Sequence, residues 1–278
     1  MYRFPKKIFP TNLNNYLLCP FKWKCSNDPD LKPLFVHSIA SFTGKAVHLA
    51  LYKILDISQT PIHDRMSRDV VSTKFDEAWS GVDKNKGDFF TDEDKEELFG
   101  SKEQETAHKT QTKTKLFLYI SNLQNYASVI PIMLEDWFDC NIGEFFIGSR
   151  IDRLDAGEGE KLNTKIRVID YKTGKLPYEN SLDDIIKKDC QMVFNAVILA
   201  KRYPYVSEIE GYLDYISHCS SYAAIWTRSR IAQMETRLLA MLRKIKDTKD
   251  FPPQKNPLCD WCAFQKTECS LFKENVKE

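Results

Sequence analysis

The segment Val168-Ile169-Asp170-Tyr171-Lys172-Thr173-Gly174 most narrows what this chain can fold into. It reads as a short β-strand, and alternate side chains of an extended chain share a face. Asp170 and Lys172 therefore project together, while Ile169 and Tyr171 project to the other side. An earlier strand segment, Gly148-Ser149-Arg150-Ile151-Asp152-Arg153, offers a second carboxylate. Metal-assisted phosphodiester hydrolysis uses such a set: the acids hold a divalent cation, and the lysine orients or polarises the attacking water. Gly174 ends the strand directly after Thr173, which leaves the pair near an edge open to substrate. The backbone carbonyl of Tyr171, between the two side chains, is a further candidate oxygen ligand. The plainer alternative is a surface hairpin with a weak Asp-Lys contact. A second carboxylate on a nearby strand weighs against it.

Strand signals cluster at 144–154, 165–173 and 208–217, rich in Phe, Ile, Val and Tyr, and Ala156-Gly157-Glu158-Gly159 makes a ready hairpin connection. A helix from about Leu182 to Lys201 separates the second and third strands, and another from about Arg228 to Lys246 follows. Upstream, 11–25 reads as a helix capped by Thr11, and 36–57 as a longer amphipathic helix. Residues 64–140 read as mostly helical and highly charged, broken near Gly81 and Gly100. The order predicts an α/β core with a mixed central sheet flanked by helices. The expected division is an N-terminal helical part (1–57), a charged helical insertion (58–140), a core (141–250) and a cysteine-rich C-terminal segment (251–278).

Three further features carry chemistry. Gly44 and His48 are four apart, hence on one helical face; a mid-helix glycine costs about 1 kcal/mol, so close packing on the sheet is expected there. A lone histidine on such a face is ordinarily a satisfied core residue, and only the strand motif makes His48 a candidate ligand. Gln191 opens an otherwise apolar helix, where a glutamine can contact a phosphate or order a water, or equally serve as a helix-terminus residue with no such role. Cys259-x2-Cys262-x6-Cys269 supplies three thiolates from one loop, a metal-site spacing. A fourth must come from elsewhere: Cys19 first, Cys25 as the fallback. Zinc and an iron–sulfur cluster both accept four thiolates, and either would tie the first helix to the C-terminal tail.

Composition excludes some classes. No apolar run approaches the roughly 18 residues of a membrane span, and the N-terminus lacks the apolar core of a secretory signal; cytoplasm is the expected location, without membrane association. Net charge is +1, so any nucleic-acid surface must be local rather than global. Residues 1–25 carry Arg3, Lys6, Lys7, Lys22 and Lys24 without an acid, whereas 88–105 are acid-rich. Gly143-x4-Gly148-Ser149-Arg150 lacks the lysine of a P-loop, and no nucleotide-binding signature is present.

Leu17-Leu18-Cys19-Pro20, Gly44-x3-His48, Gly148-x3-Asp152, Asp170-Tyr171-Lys172-Thr173-Gly174, Gln191 and the cysteine triplet follow in one order. In that order the chain resembles the PD-(D/E)XK nuclease superfamily, and within it the RecB-like, AddB-type and CRISPR-associated exonucleases that carry an iron–sulfur cluster. The resemblance covers most of the chain outside 58–140. It implies a restriction-endonuclease-like core in which His48, Asp152, Asp170 and the Tyr171 carbonyl bind Mg²⁺ or Mn²⁺. It implies that Asp152, Asp170, Lys172 and Gln191 are catalytic. It assigns Cys19, Cys259, Cys262 and Cys269 to a [4Fe–4S] cluster, with structural Zn²⁺ as the alternative, stapling the N- and C-terminal segments. The expected substrate is single-stranded DNA or duplex ends, in repair, recombination, phage replication or CRISPR adaptation. A separate helicase or other DNA-processing subunit is the expected partner. Two departures stand out: Asn195 occupies the position where the family helix usually has Tyr, and the last cysteine spacing is one residue longer than common. The competing readings are a non-catalytic DNA-binding or scaffold subunit, a structure-specific endonuclease, and a zinc-stapled interaction module.

Overall fold

The computed structural model describes residues 2–31, 38–56, 66–80, 91–124, 131–156, 164–178, 181–186 and 189–272. Two short helices open it, α1 (Pro10–Leu18) and α2 (Pro20–Ser26). They replace the single helix expected over 11–25, because Pro20 forces Cys19 into an extended conformation (φ −162°, ψ 110°). The cap is Phe9 rather than Thr11: the Phe9 amide donates to Asn12 Oδ1 at 2.8 Å, and Pro10 fills the first helical position. Helix α3 (Ile39–Leu55) starts at Ser38, whose hydroxyl accepts from the Ser41 amide at 3.1 Å. Helices α4 (Arg68–Trp79), α5 (Asp92–Phe99) and α6 (Lys102–Gln124) follow. Gly100, at φ 73°, ends α5, while Gly81, the other expected break, lies outside the described residues.

The sheet has the order β1-β2-β3-β4-β5, from β1 (Pro131–Ile142), β2 (Phe145–Ala156), β3 (Lys165–Lys172), β4 (Glu208–Tyr215) and β5 (Ser220–Thr227). Only the β3–β4 pair is parallel. This is the expected mixed sheet with helices on both faces, and two of its strands correct the sequence reading. Residues 131–140, assigned to the helical region, belong to β1, which is tied to β2 by a tight turn with Gly143 at φ 55°. Strand β5 was missed; it lies along β4 with largely alternating, half-exposed residues. Most of the expected Ala156–Gly159 connection falls outside the described residues. The β3-to-β4 crossover is also not one helix: α7 (Leu182–Ile185) precedes α8 (Gln191–Arg202). Last comes α9 (Arg228–Asp247).

Each face of the sheet buries its own core. Ile147, Ile151, Leu154, Ile166 and Val168 pack with Trp23, Phe194, Ile198, Leu238 and Leu242 from α2, α8 and α9. Ile169 and Tyr171 pack on the opposite side with Phe42, Val47, Phe75, Trp79, Phe99 and Leu116 from α3 to α6. The alternation read from β3 thus divides its side chains between two cores, and the charged helical region contributes its apolar stripe to one of them. At about 25 cal/mol per Å² of apolar surface buried, each such Phe or Leu stabilises the fold by roughly 2–3 kcal/mol. No helix among the described residues is long and apolar enough to cross a membrane.

Candidate metal centre and cysteine site

The centre forms where two strands part. Pairing of β2 with β3 stops at Arg153↔Ile169, while β3 continues along β4 through Asp170↔Leu213 to Lys172↔Tyr215. The Tyr171 amide, left without a strand partner on that side, instead donates to Asp152 Oδ2 at 2.8 Å. Asp152 is thereby held across the mouth of the gap, nearly buried. From α3, His48 reaches into the same gap. Its Nδ1 lies 3.2 Å from Glu135 Oε1 and 3.5 Å from Asp152 Oδ1, and its Nε2 lies 3.1 Å from the Tyr171 carbonyl oxygen. The carbonyl expected to face a cation therefore faces the imidazole here. Gly44, one turn earlier, meets Thr173: an added Cβ would lie 3.5 Å from Thr173 Oγ1, an ordinary contact.

His48, Glu135 and Asp152 each bring one donor atom within 4.8 Å of the others. One nitrogen and two carboxylate oxygens suit a divalent cation of the Mg²⁺ or Mn²⁺ type. Burial pushes the His48 pKa down, but the Asp152 and Glu135 carboxylates outweigh it and hold the imidazole well above its ordinary value. The acids thus favour the charged imidazole, and a cation entering among them would compete with its proton.

Glu135 is the residue that sequence reasoning missed. It lies within β1 between the pairs Leu134↔Arg153 and Asp136↔Ile151, at φ 51°. A left-handed conformation costs a non-glycine residue roughly 1–2 kcal/mol, and such strain in a strand interior marks a constrained side chain. Here it turns the carboxylate inward to His48 and to Arg150, whose Nε lies 2.9 Å from Glu135 Oε2. An acid directly after the apolar run Ile132-Met133-Leu134 was the available signal, and assigning the segment to helix hid it.

Asp170 is 1% exposed and sits beside this group rather than within it. Lys172 Nζ approaches its Oδ2 at 2.6 Å, yet that oxygen has no aligned hydrogen bond. Burial pushes the Asp170 pKa up to about 7; Lys172 opposes the rise and Asp152 adds to it. Burial alone would lower the Lys172 pKa, but Asp170 and Asp189 raise it above the ordinary lysine value. Lys172 also donates to Gln191 Oε1 at 3.3 Å, so the first residue of α8 faces the pair. The Lys172 ammonium, 2.6 Å from Asp170 Oδ2, compensates the buried carboxylate, which stands beside the His48–Glu135–Asp152 group. The donor set fits a divalent ion.

Behind the centre, Arg153 donates to Asp155 Oδ1 at 2.7 Å and to the Tyr171 hydroxyl at 3.4 Å. These buried bonds fix the strand that carries Asp170 and Lys172. Asn195, where a tyrosine would be usual, is fully buried and accepts from Ser149 Oγ at 2.6 Å. It joins α8 to β2 beneath the sheet, away from the gap.

Cys19, Cys259, Cys262 and Cys269 line one pocket with Leu18, Phe21 and Phe272. Cys25, the fallback, is not part of that lining. All four are free thiols. Backbone amides of Gln254 and Asn256 donate to the sulfurs of Cys19 and Cys259, each at 3.3 Å. Four sulfurs with N–H donors aimed at two of them form a soft-metal donor set.

Two solved structures resemble the chain in outline. The protein SSO0001 aligns over 99% of this chain and 90% of its own, at 12% identity and a TM-score of 0.36. A protein described as a candidate exonuclease from Eubacterium rectale aligns over 94% of this chain and 88% of its own, at 10% identity and a TM-score of 0.46. No curated protein matches by sequence. A family model matches residues 8–267, which include every element carrying the centre, and the chain belongs to the PD-(D/E)XK nuclease superfamily.

Proposed function

We propose that this protein is a metal-dependent deoxyribonuclease, an exonuclease hydrolysing phosphodiester bonds of single-stranded DNA or DNA ends. One observation carries the reading: the buried Asp170 carboxylate pairs with Lys172 at 2.6 Å beside the His48–Glu135–Asp152 group. Bound Mg²⁺ or Mn²⁺ would supply Lewis-acid stabilisation of the phosphate charge and a bound water of lowered pKa. Asp152, Asp170 and His48 would hold it, with Glu135 and the Tyr171 carbonyl as further donors. Lys172 orients the attacking water and offsets charge developing on the phosphate. Gln191 steadies the Lys172 ammonium from the N-terminus of α8.

The cysteine pocket is assigned a [4Fe–4S] cluster rather than zinc. Four cysteines lining one pocket, with backbone amides donating to two of the sulfurs, support that assignment. The helical region of α4 to α6 shapes access to the gap. Any unwinding comes from a separate helicase or other DNA-processing subunit in the cytoplasm.

The test is cleavage of end-labelled single- and double-stranded DNA by anaerobically purified protein with Mn²⁺, Mg²⁺ or EDTA, beside Lys172→Ala. Metal-dependent cutting that the variant lacks is the expected result, and the ladder from each labelled end reads the polarity. A cluster-loaded wild type that cuts no substrate refutes the proposal.

A further inference from the structure

Lys172 has a second carboxylate neighbour that belongs to neither β3 nor the metal group. Asp189, at the turn before α8, places Oδ2 3.5 Å from Lys172 Nζ. Its other oxygen is fully engaged: Oδ1 accepts from the Gln191 amide at 3.0 Å and from Asn14 Nδ2 at 2.9 Å. Asn14, on α1, uses the other end of its amide as well. Its Oδ1 accepts from the Cys190 amide at 3.1 Å and the Cys190 thiol at 2.9 Å. One side chain thus clamps two consecutive residues, and the clamp leaves only Oδ2 of Asp189 free to face Lys172.

The clamp is more than a helix cap needs. Capping α8 requires one oxygen on the Gln191 amide, which Asp189 Oδ1 supplies. It requires neither Asn14 nor a second oxygen directed at an ammonium group. The site chemistry does require one. Asp170 serves as close partner of Lys172 at 2.6 Å and as the carboxylate assigned to a cation. It cannot give the same oxygen fully to both, and leaving a buried ammonium unpaired is costly.

We propose that Asp189, fixed by Asn14, is a positioning residue for Lys172, keeping the ammonium aimed into the gap when Asp170 is engaged by a cation. The proposal rests on the nuclease reading above. Lys172 then moves a short way from Asp170 toward Asp189 and Gln191, which stand ready on the same side.

Asp189→Asn tests it, because asparagine keeps the oxygen that caps α8 and accepts from Asn14 while removing the charge that faces Lys172. Single-turnover cleavage, Mn²⁺ affinity and DNA affinity are measured for wild type, Asp189→Asn and Asp189→Glu, with melting temperature as the control for folding. The expected result is a cleavage rate lowered by about tenfold or more, with melting temperature, Mn²⁺ affinity and DNA affinity within about twofold or a degree or two of wild type, and partial rescue by Asp189→Glu. Asn14→Ala, which frees the turn, should slow cleavage in the same way while also lowering the melting temperature. Full-rate cleavage by Asp189→Asn overturns this proposal alone. Loss of Mn²⁺ or DNA affinity in parallel with rate also overturns it, since Asp189 would then act on binding. A wild type that cuts nothing removes the nuclease reading, and this proposal with it.

Discussion

Asp170→Asn separates what the centre needs from what the fold needs. Asparagine has the shape of a protonated aspartate, so the variant imitates wild type with Asp170 neutral. In the native protein Asp170 titrates near about 7, raised chiefly by burial, against about 3.9 in an unfolded chain. Between those values the native state holds a proton that the unfolded state has released. The associated stability is complete below about pH 4 and is lost as pH rises to about 7. At about 1.4 kcal/mol per pH unit the loss is at most about 4 kcal/mol. Metal-free Asp170→Asn should therefore melt like wild type near pH 4.5 and several degrees above it at pH 8, since 1 kcal/mol moves a protein of this size by about 2–4 °C. Mn²⁺ should raise the wild-type melting temperature at pH 8, leave the variant nearly unmoved, and restore no cleavage to it. Differential scanning fluorimetry in EDTA and in Mn²⁺ at the two pH values reads all of this. A variant that is destabilised at pH 8, or shifted equally at both pH values, refutes the reasoning and makes Asp170 a structural partner of Lys172.

Other perturbations report on the remaining parts. Lys172→Ala should keep the fold and bind Mn²⁺ while lowering cleavage by about two to four orders of magnitude; near wild-type single-turnover rates would remove the lysine from the chemistry. Glu135→Gln keeps the strained backbone and the side-chain shape but removes a charge, so Mn²⁺ affinity should fall about tenfold in a calorimetric titration; unchanged affinity would confine Glu135 to pairing with Arg150. Cys262→Ala should lose visible absorbance and melt several degrees lower, and a colourless, zinc-loaded wild type would instead identify a structural zinc site.

What could be read from the sequence was what local spacing determines. The carboxylate-lysine pair is visible because strand alternation alone puts Asp170 and Lys172 on one face, and β3 bears that out. Helices α3 and α9 are visible through their apolar periodicity. Strand β1 was hidden because its apolar residues extend the helix-like pattern that runs through α6. Strand β5 was hidden because Ser220, Ser221, Ala223 and Ala224 carry little of the β-branched and aromatic signal. Glu135 lay beyond reach for a stronger reason. Its place beside His48 depends on strand register and on one left-handed backbone angle, which are properties of the folded sheet. Asp189 is similar: two residues before Gln191 it looks like a cap, and only the fold brings Asn14 and Lys172 to it.

Helix α1 connects the cysteine pocket to the candidate metal centre, although the pocket draws on Cys19 and Cys259–Cys269 and the centre on residues between them. Its C-cap is Cys19, one of the four pocket cysteines, and its middle carries Asn14, which clamps Asp189 and Cys190 beside Lys172. Just before it, Ile8 bridges to β2 at Ile147, so its N-terminal end is anchored to the strand that bears Asp152. A helix this short has marginal intrinsic stability and depends on anchors at both ends. On the proposed assignment of a cluster to the pocket, releasing Cys19 from it frees the end of the element that sets the second carboxylate of Lys172. Loss of the cluster should then lower the cleavage rate of molecules that remain folded, and not merely the folded fraction. Cleavage per folded molecule, measured for Cys262→Ala well below its melting temperature, distinguishes the two. A rate equal to wild type would make the staple a purely structural fastening.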